Sequence, residues 1–342
     1  MDLAENPPDG YSCIYQNIEG VKSRNEFYKR IFDLIIQCVH RSKVDDAKRF
    51  LEKCLKKYSI SEISKTGVKF SSKELNYEDE FKRIIPELAE SKIHTIIFLD
   101  EFAEVINKLT KKGEKEDAID ILHTLREIRS DSNFRNFTLV FAGSIGLEFV
   151  IKSFDRPKLI NDLHAIPTPA LSQEEGVSFL DQLVKNATIR MSPSVIAYIL
   201  KKVHHLMPYY LQLIIEEIDL IARENNKPNI TKSQVDESFT RVLRKRRNFE
   251  DWLSRLKEYQ SENFPFINEV LINAAHNDGI DIQKIYDIAC DSKFDRANDY
   301  MDYIDELIND GYLIEIERHK YSFISPFLKE FWKNKYPVYN DK

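Results

Sequence analysis

Residues 95–101 read TIIFLDE, a short apolar run closed by two adjacent carboxylates, and the following FAEVINKL has helical spacing. Ile96, Ile97, Phe98 and Leu99 form the continuous apolar run expected of a buried parallel strand. Open α/β sheets bind their ligands at the carboxyl ends of such strands, which is where Asp100 and Glu101 fall. These two acids are the first candidate functional residues. The plainer alternative is that Asp100 caps the helix beginning near Phe102.

Strands and helices alternate on both sides of this stretch. Residues 11–18, YSCIYQNI, follow the turn-forming NPPDG of residues 6–10 and read as a strand. Ser23 and Glu26 have capping-box spacing before a helix whose buried face carries Phe27, Ile31, Leu34 and Ile35. Residues 44–58 predict a second, lysine-rich helix. Residues 59–72 predict a small hairpin turning at Thr66-Gly67, and residues 77–91 a helix leading into TIIFLDE. Beyond it, residues 118–129 predict a helix with Ile121, Leu122, Leu125 and Ile128 inward. Residues 137–142 predict a second buried strand ending in Gly143-Ser144, and residues 163–169 a short final strand. This alternation implies a parallel, doubly wound sheet.

From Ser172 the pattern becomes helical, opening on a Ser172/Glu175 capping box and continuing through residues 192–203, 208–223 and 231–247. Composition shifts near residues 258–263. Three more helices, 266–276, 282–289 and 298–309, precede two short strands at 312–317 and 320–324. The expected architecture is an α/β parallel sheet over residues 1–170, an all-α lid over 171–257 and a C-terminal winged helix over 258–342.

Composition narrows the function classes. The 342 residues are 42% hydrophobic and 31% charged, with a net charge of −6, which gives no general attraction to nucleic acid or anionic membrane. Cys13, Cys38, Cys54 and Cys290 lack metal-ligand spacing and sit in apolar patterns, so reduced, buried thiols are expected. No run approaches the roughly 18 apolar residues of a membrane span, and residues 1–10 lack a signal-peptide pattern. A cytoplasmic protein without membrane contact is expected.

In this order, YSCIYQNIEGV (11–21), TIIFLDEF (95–102), LVFAGSIGL (139–147) and MPYYLQLI (207–214) resemble the archaeal-type branch of AAA+/STAND P-loop ATPases, which has bacterial relatives. The resemblance covers residues 3–336 and implies ATP and Mg²⁺ as cofactors. It implies Asp100 as the metal-binding carboxylate and Glu101 as the group that polarises the attacking water. Ser144 matches the polar sensor at the end of the next strand, and Arg129, with Arg126 one turn away, is placed to reach phosphate. Pro208 matches a lid proline near adenine. Each has a plainer reading as well. Ser144 fits a turn, Arg126 and Arg129 fit a salt-bridged face, and Pro208 fits a first helical turn, where its missing N–H costs nothing. Tyr209, Tyr210 and Leu213 are expected in the core.

The sequence departs from the family at the phosphate loop. GxxxxGK[ST] does not occur in it, and KTGVK at 65–69 lacks both the glycine spacing and a preceding strand. The resemblance therefore implies an incomplete P-loop core, with Met1–Leu3 similar to the tail of the helix that follows the loop. Weak ATP binding, negligible hydrolysis and a poorly paired 163–169 segment are expected.

A winged helix suggests DNA, but charge argues otherwise. Between residues 264 and 342, nine basic and fifteen acidic side chains leave the segment six units negative, with Asp299, Asp302, Asp305 and Glu306 on the recognition-helix position. A protein partner or self-association is the expected contact. The basic run Arg241, Arg244, Lys245, Arg246 and Arg247 can grip phosphate or dock on the acidic C-terminal region, and docking is favoured. Three functions follow: an AAA+/STAND-type ATPase-like switch, a nucleotide-free interaction scaffold (a pseudo-ATPase), and a DNA-binding initiator-like protein.

Overall fold

The computed structural model describes residues 2–41, 45–58, 60–64, 67–70, 76–90, 93–152, 154, 156–185, 187–245, 247–260, 262–292, 294 and 300–338. The chain divides into two compact units, Met1–Ala165 and Ile166–Lys342. Lys65, Thr66, Arg246, Asp299 and the first residue of the expected 298–309 helix lie outside the described residues.

In the first unit, α1 (Asp2–Glu5) leads to β1 (Tyr11–Asn17), α2 (Arg24–Arg41), α3 (Asp45–Lys57) and the strands β2 (Ile60–Ile63) and β3 (Val68–Phe70). Then come α4 (Tyr77–Glu90), β4 (His94–Asp100), α5 (Phe102–Lys111), α6 (Lys115–Ser130), β5 (Phe137–Phe141) and α7 (Leu147–Lys152). β1, β4 and β5 form a parallel sheet with β4 central, and β2 and β3 form the expected antiparallel hairpin.

Register decides which side chains share a face. Tyr15 pairs with Phe98, Asn17 with Asp100, and Phe98 with Val140. Ser12, Ile14, Thr95, Ile97, Leu99, Phe137 and Leu139 therefore point to one side, where all are buried. α2 covers this side, and Ser12 Oγ donates to the Cys38 carbonyl at 2.7 Å. On the other face Tyr15, Ile96, Phe98, Asp100 and Val140 are half-buried. The uninterrupted apolar run thus alternates in burial, because cover on the second face is partial.

Two further expectations are corrected. Residues 163–169 take no strand conformation, and Leu163 N–H instead donates to the Ile160 carbonyl at 3.0 Å. Pro167 and Pro169 have no N–H for a ladder. The expected capping box at Ser23 is half formed. Ser23 Oγ accepts from Glu26 N–H, but the Glu26 carboxylate accepts from Lys22 N–H rather than Ser23.

At the carboxyl end of the sheet, Arg24 binds both Glu78 oxygens at 2.9 Å and Asp120 at 2.5 Å. It thereby ties together the amino-terminal turns of α2, α4 and α6, where the acids also complement the helix dipoles.

The second unit begins with α8 (Gln173–Val184), α9 (Pro193–Val203), α10 (Pro208–Asn225), α11 (Lys232–Arg244) and α12 (Arg247–Tyr259). Its remaining elements are α13 (Phe264–His276), β6 (Ile280–Asp281), α14 (Ile282–Asp291), α15 (Met301–Asn309), β7 (Leu313–Glu317), β8 (Lys320–Phe323) and α16 (Pro326–Lys335). The Ser172/Glu175 capping box opens α8, and an unanticipated Thr231/Gln234 box opens α11. The helix expected over 231–247 is α11, which ends at Arg244, and an unanticipated second helix, α12, begins at Arg247. The second buries Phe249, Leu253 and Leu256.

Phe327 of α16 stacks on Phe239 at 4.2 Å and on Tyr210 at 5.3 Å, which joins α16 to α10 and α11. The favoured docking of the basic run on the acidic C-terminal region is not what Arg241 and Lys245 do. Arg241 pairs with Glu224 and Glu237, and Lys245 pairs with the buried Glu217, so both charges are neutralised within α10 and α11. Tyr210 is buried as expected, but Tyr209 is 39% exposed. Cys290 is exposed, unlike Cys13, Cys38 and Cys54. No described helix is long and apolar enough to cross a membrane.

Candidate functional site at the carboxyl end of β4

β4 ends at Asp100, and the chain reverses into α5 through Glu101, which adopts left-handed φ/ψ angles of 60° and 31°. A non-glycine residue there costs ~1–2 kcal/mol, so its surroundings must hold it. Phe102 N–H donates to the Ala142 carbonyl at 3.1 Å and Ala142 N–H to the Leu99 carbonyl at 2.9 Å. The Phe102 ring stacks on Phe141 at 4.2 Å. These contacts bind the turn to the end of β5.

Asp100 does not cap α5. Its Oδ1 accepts from Glu101 N–H at 3.1 Å, and its Oδ2 accepts from the Tyr15 hydroxyl at 2.5 Å. That hydrogen bond, together with burial and the charges of Asp100 and Glu101, pushes the Tyr15 phenol up to about 12. Glu101 Oε2 accepts from both Ser144 N–H, at 3.1 Å, and Ser144 Oγ, at 2.9 Å. Asp100, Glu101 and Ser144 are all half-buried, neither sealed from solvent nor fully hydrated.

Arg129 is held apart from this group. Its guanidinium makes two hydrogen bonds to Asp162, at 2.7 and 3.0 Å, and one to the Leu159 carbonyl at 3.0 Å. The same group lies 5.9 Å from the centre of the Phe141 ring. The salt-bridged reading of this arginine is the one realised. Arg129 also holds the Asp162 carboxyl below its ordinary value, against the opposing effect of burial. Pro208 opens α10 at its first position, in the second unit. The cavity of about 330 Å³ beside Arg24 is lined by Ser23, Arg24, Asn25, Tyr28, Asn76, Glu78 and Asp117, and includes none of the three clustered residues.

The clustered donors are two carboxylates and one hydroxyl, all hard oxygen ligands. Such a set suits Mg²⁺, which takes one or two carboxylates and fills its shell with water and phosphate. Each Asp100 oxygen accepts one protein hydrogen bond, leaving further lone-pair capacity. Among the described residues, no group of three or more His, Cys, Asp or Glu could hold a metal by itself. The fit is therefore to a cation that shares its shell.

Sequence reasoning missed Tyr15 and Asp162. The signal for Tyr15 was present in the alternation of YSCIYQN, since a tyrosine two residues before the strand end shares a face with that end. Its partner depends on register against β4, which one strand alone does not specify.

No family model matches the chain, and no curated protein matches it significantly. Solved structures do. The Walker-type ATPase of Pyrococcus abyssi is 15% identical with a TM-score of 0.58, the match covering 97% of this chain and 85% of that one. The ORC2 protein of Aeropyrum pernix, solved in ADPNP-ADP complexes, is 12% identical with a TM-score of 0.50, covering 95% and 78%. At these identities the likeness shows the fold alone, a P-loop-NTPase-like arrangement of parallel sheet and helices.

Proposed function

We propose that the chain is an AAA+/STAND-type ATPase-like protein, a nucleotide-linked switch whose site is the β4 rim. The observation that carries this reading is the arrangement of Asp100 and Glu101 at the end of the central parallel strand, with Glu101 hydrogen-bonded to Ser144 beyond β5. In this reading Asp100 holds Mg²⁺, directly or through water. A bound Mg²⁺ supplies charge neutralisation for phosphate oxygens. Glu101 orients a water through the capacity left on its carboxylate, and Ser144 fixes which way that carboxylate faces. Arg129 acts at one remove, by ordering the 157–162 segment against α6 rather than by touching phosphate. Pro208 and α10 belong to a helical lid, and α13–α15 with the β7–β8 hairpin are the winged helix.

The cation fits the residues present, but a triphosphate cradle does not, since GxxxxGK[ST] is missing from these 342 residues. Each charge-assisted hydrogen bond forgone is worth ~1.5–3 kcal/mol. The proposal is accordingly that this chain binds Mg-ATP weakly and turns it over negligibly. It also assigns the acidic winged helix to protein contact or self-association. Isothermal titration with Mg-ATP tests the site. A weak heat that disappears in Asp100→Asn is the expected result. A silent titration, or a heat indifferent to that substitution, would leave the nucleotide-free scaffold in its place.

A further inference from the structure

We propose that Tyr15 is a positioning residue for a divalent cation at Asp100. Through its hydroxyl it locks the carboxylate in the orientation that presents the remaining lone pairs to the rim. The inference rests on reading Asp100 as the cation-binding residue and adds a requirement that reading does not contain.

Parallel pairing puts Tyr15 opposite Phe98 and Asn17 opposite Asp100, so Tyr15 and Asp100 lie on the same, half-buried face. The phenol reaches along the strand direction and donates to Oδ2 at 2.5 Å, while Glu101 N–H holds Oδ1 at 3.1 Å. An aspartate at a strand end has two free torsions and, with nothing to hold it, samples several orientations in water. Two donors, one from β1 and one from the turn behind β4, fix both its rotation and its plane.

Hydrogen bonds from outer groups to a ligating carboxylate typically change metal affinity by roughly 10–100-fold when removed.

The test uses the full chain and Mn²⁺ alone, followed by electron paramagnetic resonance. Wild type, Asp100→Asn, Tyr15→Phe and Tyr15→Leu are compared. Phe keeps the ring and removes only the hydroxyl, so a packing role predicts that Phe behaves as wild type and Leu does not. The expected result is Mn²⁺ binding lost in Asp100→Asn and weakened roughly 10-fold or more in both Tyr15 variants, with a broadened bound-ion spectrum in Tyr15→Phe as the coordination becomes heterogeneous. Wild-type affinity and line shape in Tyr15→Phe would overturn the positioning role alone. Tighter binding in Tyr15→Phe would do so too, making the phenol an obstacle. Mn²⁺ binding that is absent in wild type, or identical in wild type and Asp100→Asn, would remove the cation site and the inference with it.

Discussion

Replacing Asp33 by Asn should stabilise the protein at neutral pH and leave it unchanged in acid. Asp33 lies on α2 and is 5% exposed, and its Oδ1 has no hydrogen-bond partner. Burial raises the carboxyl from 3.8 to about 6, with Lys29, the Val68 backbone and Arg30 opposing only part of the effect. Because the folded value lies above the unfolded one, the folded state holds the proton more tightly. Below about pH 4 both states are protonated and nothing is lost. As pH rises, the unfolded state ionises first, and stability falls until the folded carboxyl has also titrated, above about pH 6. At 1.36 kcal/mol per pH unit the full cost is ~3 kcal/mol. Chemical denaturation of wild type and Asp33→Asn at pH 4 and pH 7.5 reads this directly. The variant should gain up to ~3 kcal/mol at pH 7.5 and close to nothing at pH 4. Equal stabilities at pH 7.5, or the same gain at both values, would refute the reasoning and mean that the carboxylate is solvated.

Other perturbations separate the remaining parts of the account. Arg24→Met removes the cation shared by Glu78, Asp117 and Asp120, leaving Glu78 with Lys82 as its remaining partner, and should destabilise the first unit by ~1–3 kcal/mol at pH 7. Burial raises Glu78, but its hydrogen bonds to Arg24 and Lys82 prevail and lower it overall, so that contribution exists above the carboxylate range and should fade as pH drops. Denaturation at pH 7 and pH 3.5 checks the trend. Gly279→Ala should damage the hairpin region, because φ is +94° and a Cβ would lie 2.5 Å from the Tyr321 carbonyl oxygen. A loss above ~2 kcal/mol is expected in thermal unfolding. Duplex DNA titrated at low salt should give no salt-dependent mobility shift, and a shift abolished by Arg244→Glu would restore the initiator-like reading.

Much of the fold was legible because local chemistry and tertiary demand agree. Residues 95–100 lie in a strand, the Ser172/Glu175 box starts a helix, and β2 and β3 pair as a hairpin. Where they compete, sequence reading fails in identifiable ways. Residues 163–169 have an apolar start, but two prolines deny them a ladder. Residues 247–259 carry Phe249, Leu253 and Leu256 at helical spacing, yet six charged residues among those thirteen obscured the helix. At the site, Asp100, Glu101 and Ser144 were identifiable as strand-end residues and are brought together. Arg129 could not be placed from its own helix, because its fate is set by Asp162, 33 positions away. Tyr15 was hidden for the same reason, its partner being fixed by strand register over 85 positions.

The most direct test of the β4 rim as a cation site is anomalous diffraction from crystals of the full chain soaked in Mn²⁺. The account predicts a peak at the carboxyl end of β4, bound by Asp100 directly or through one water and missing from Asp100→Asn crystals. Mn²⁺ density elsewhere on the molecule with none at Asp100 would contradict it.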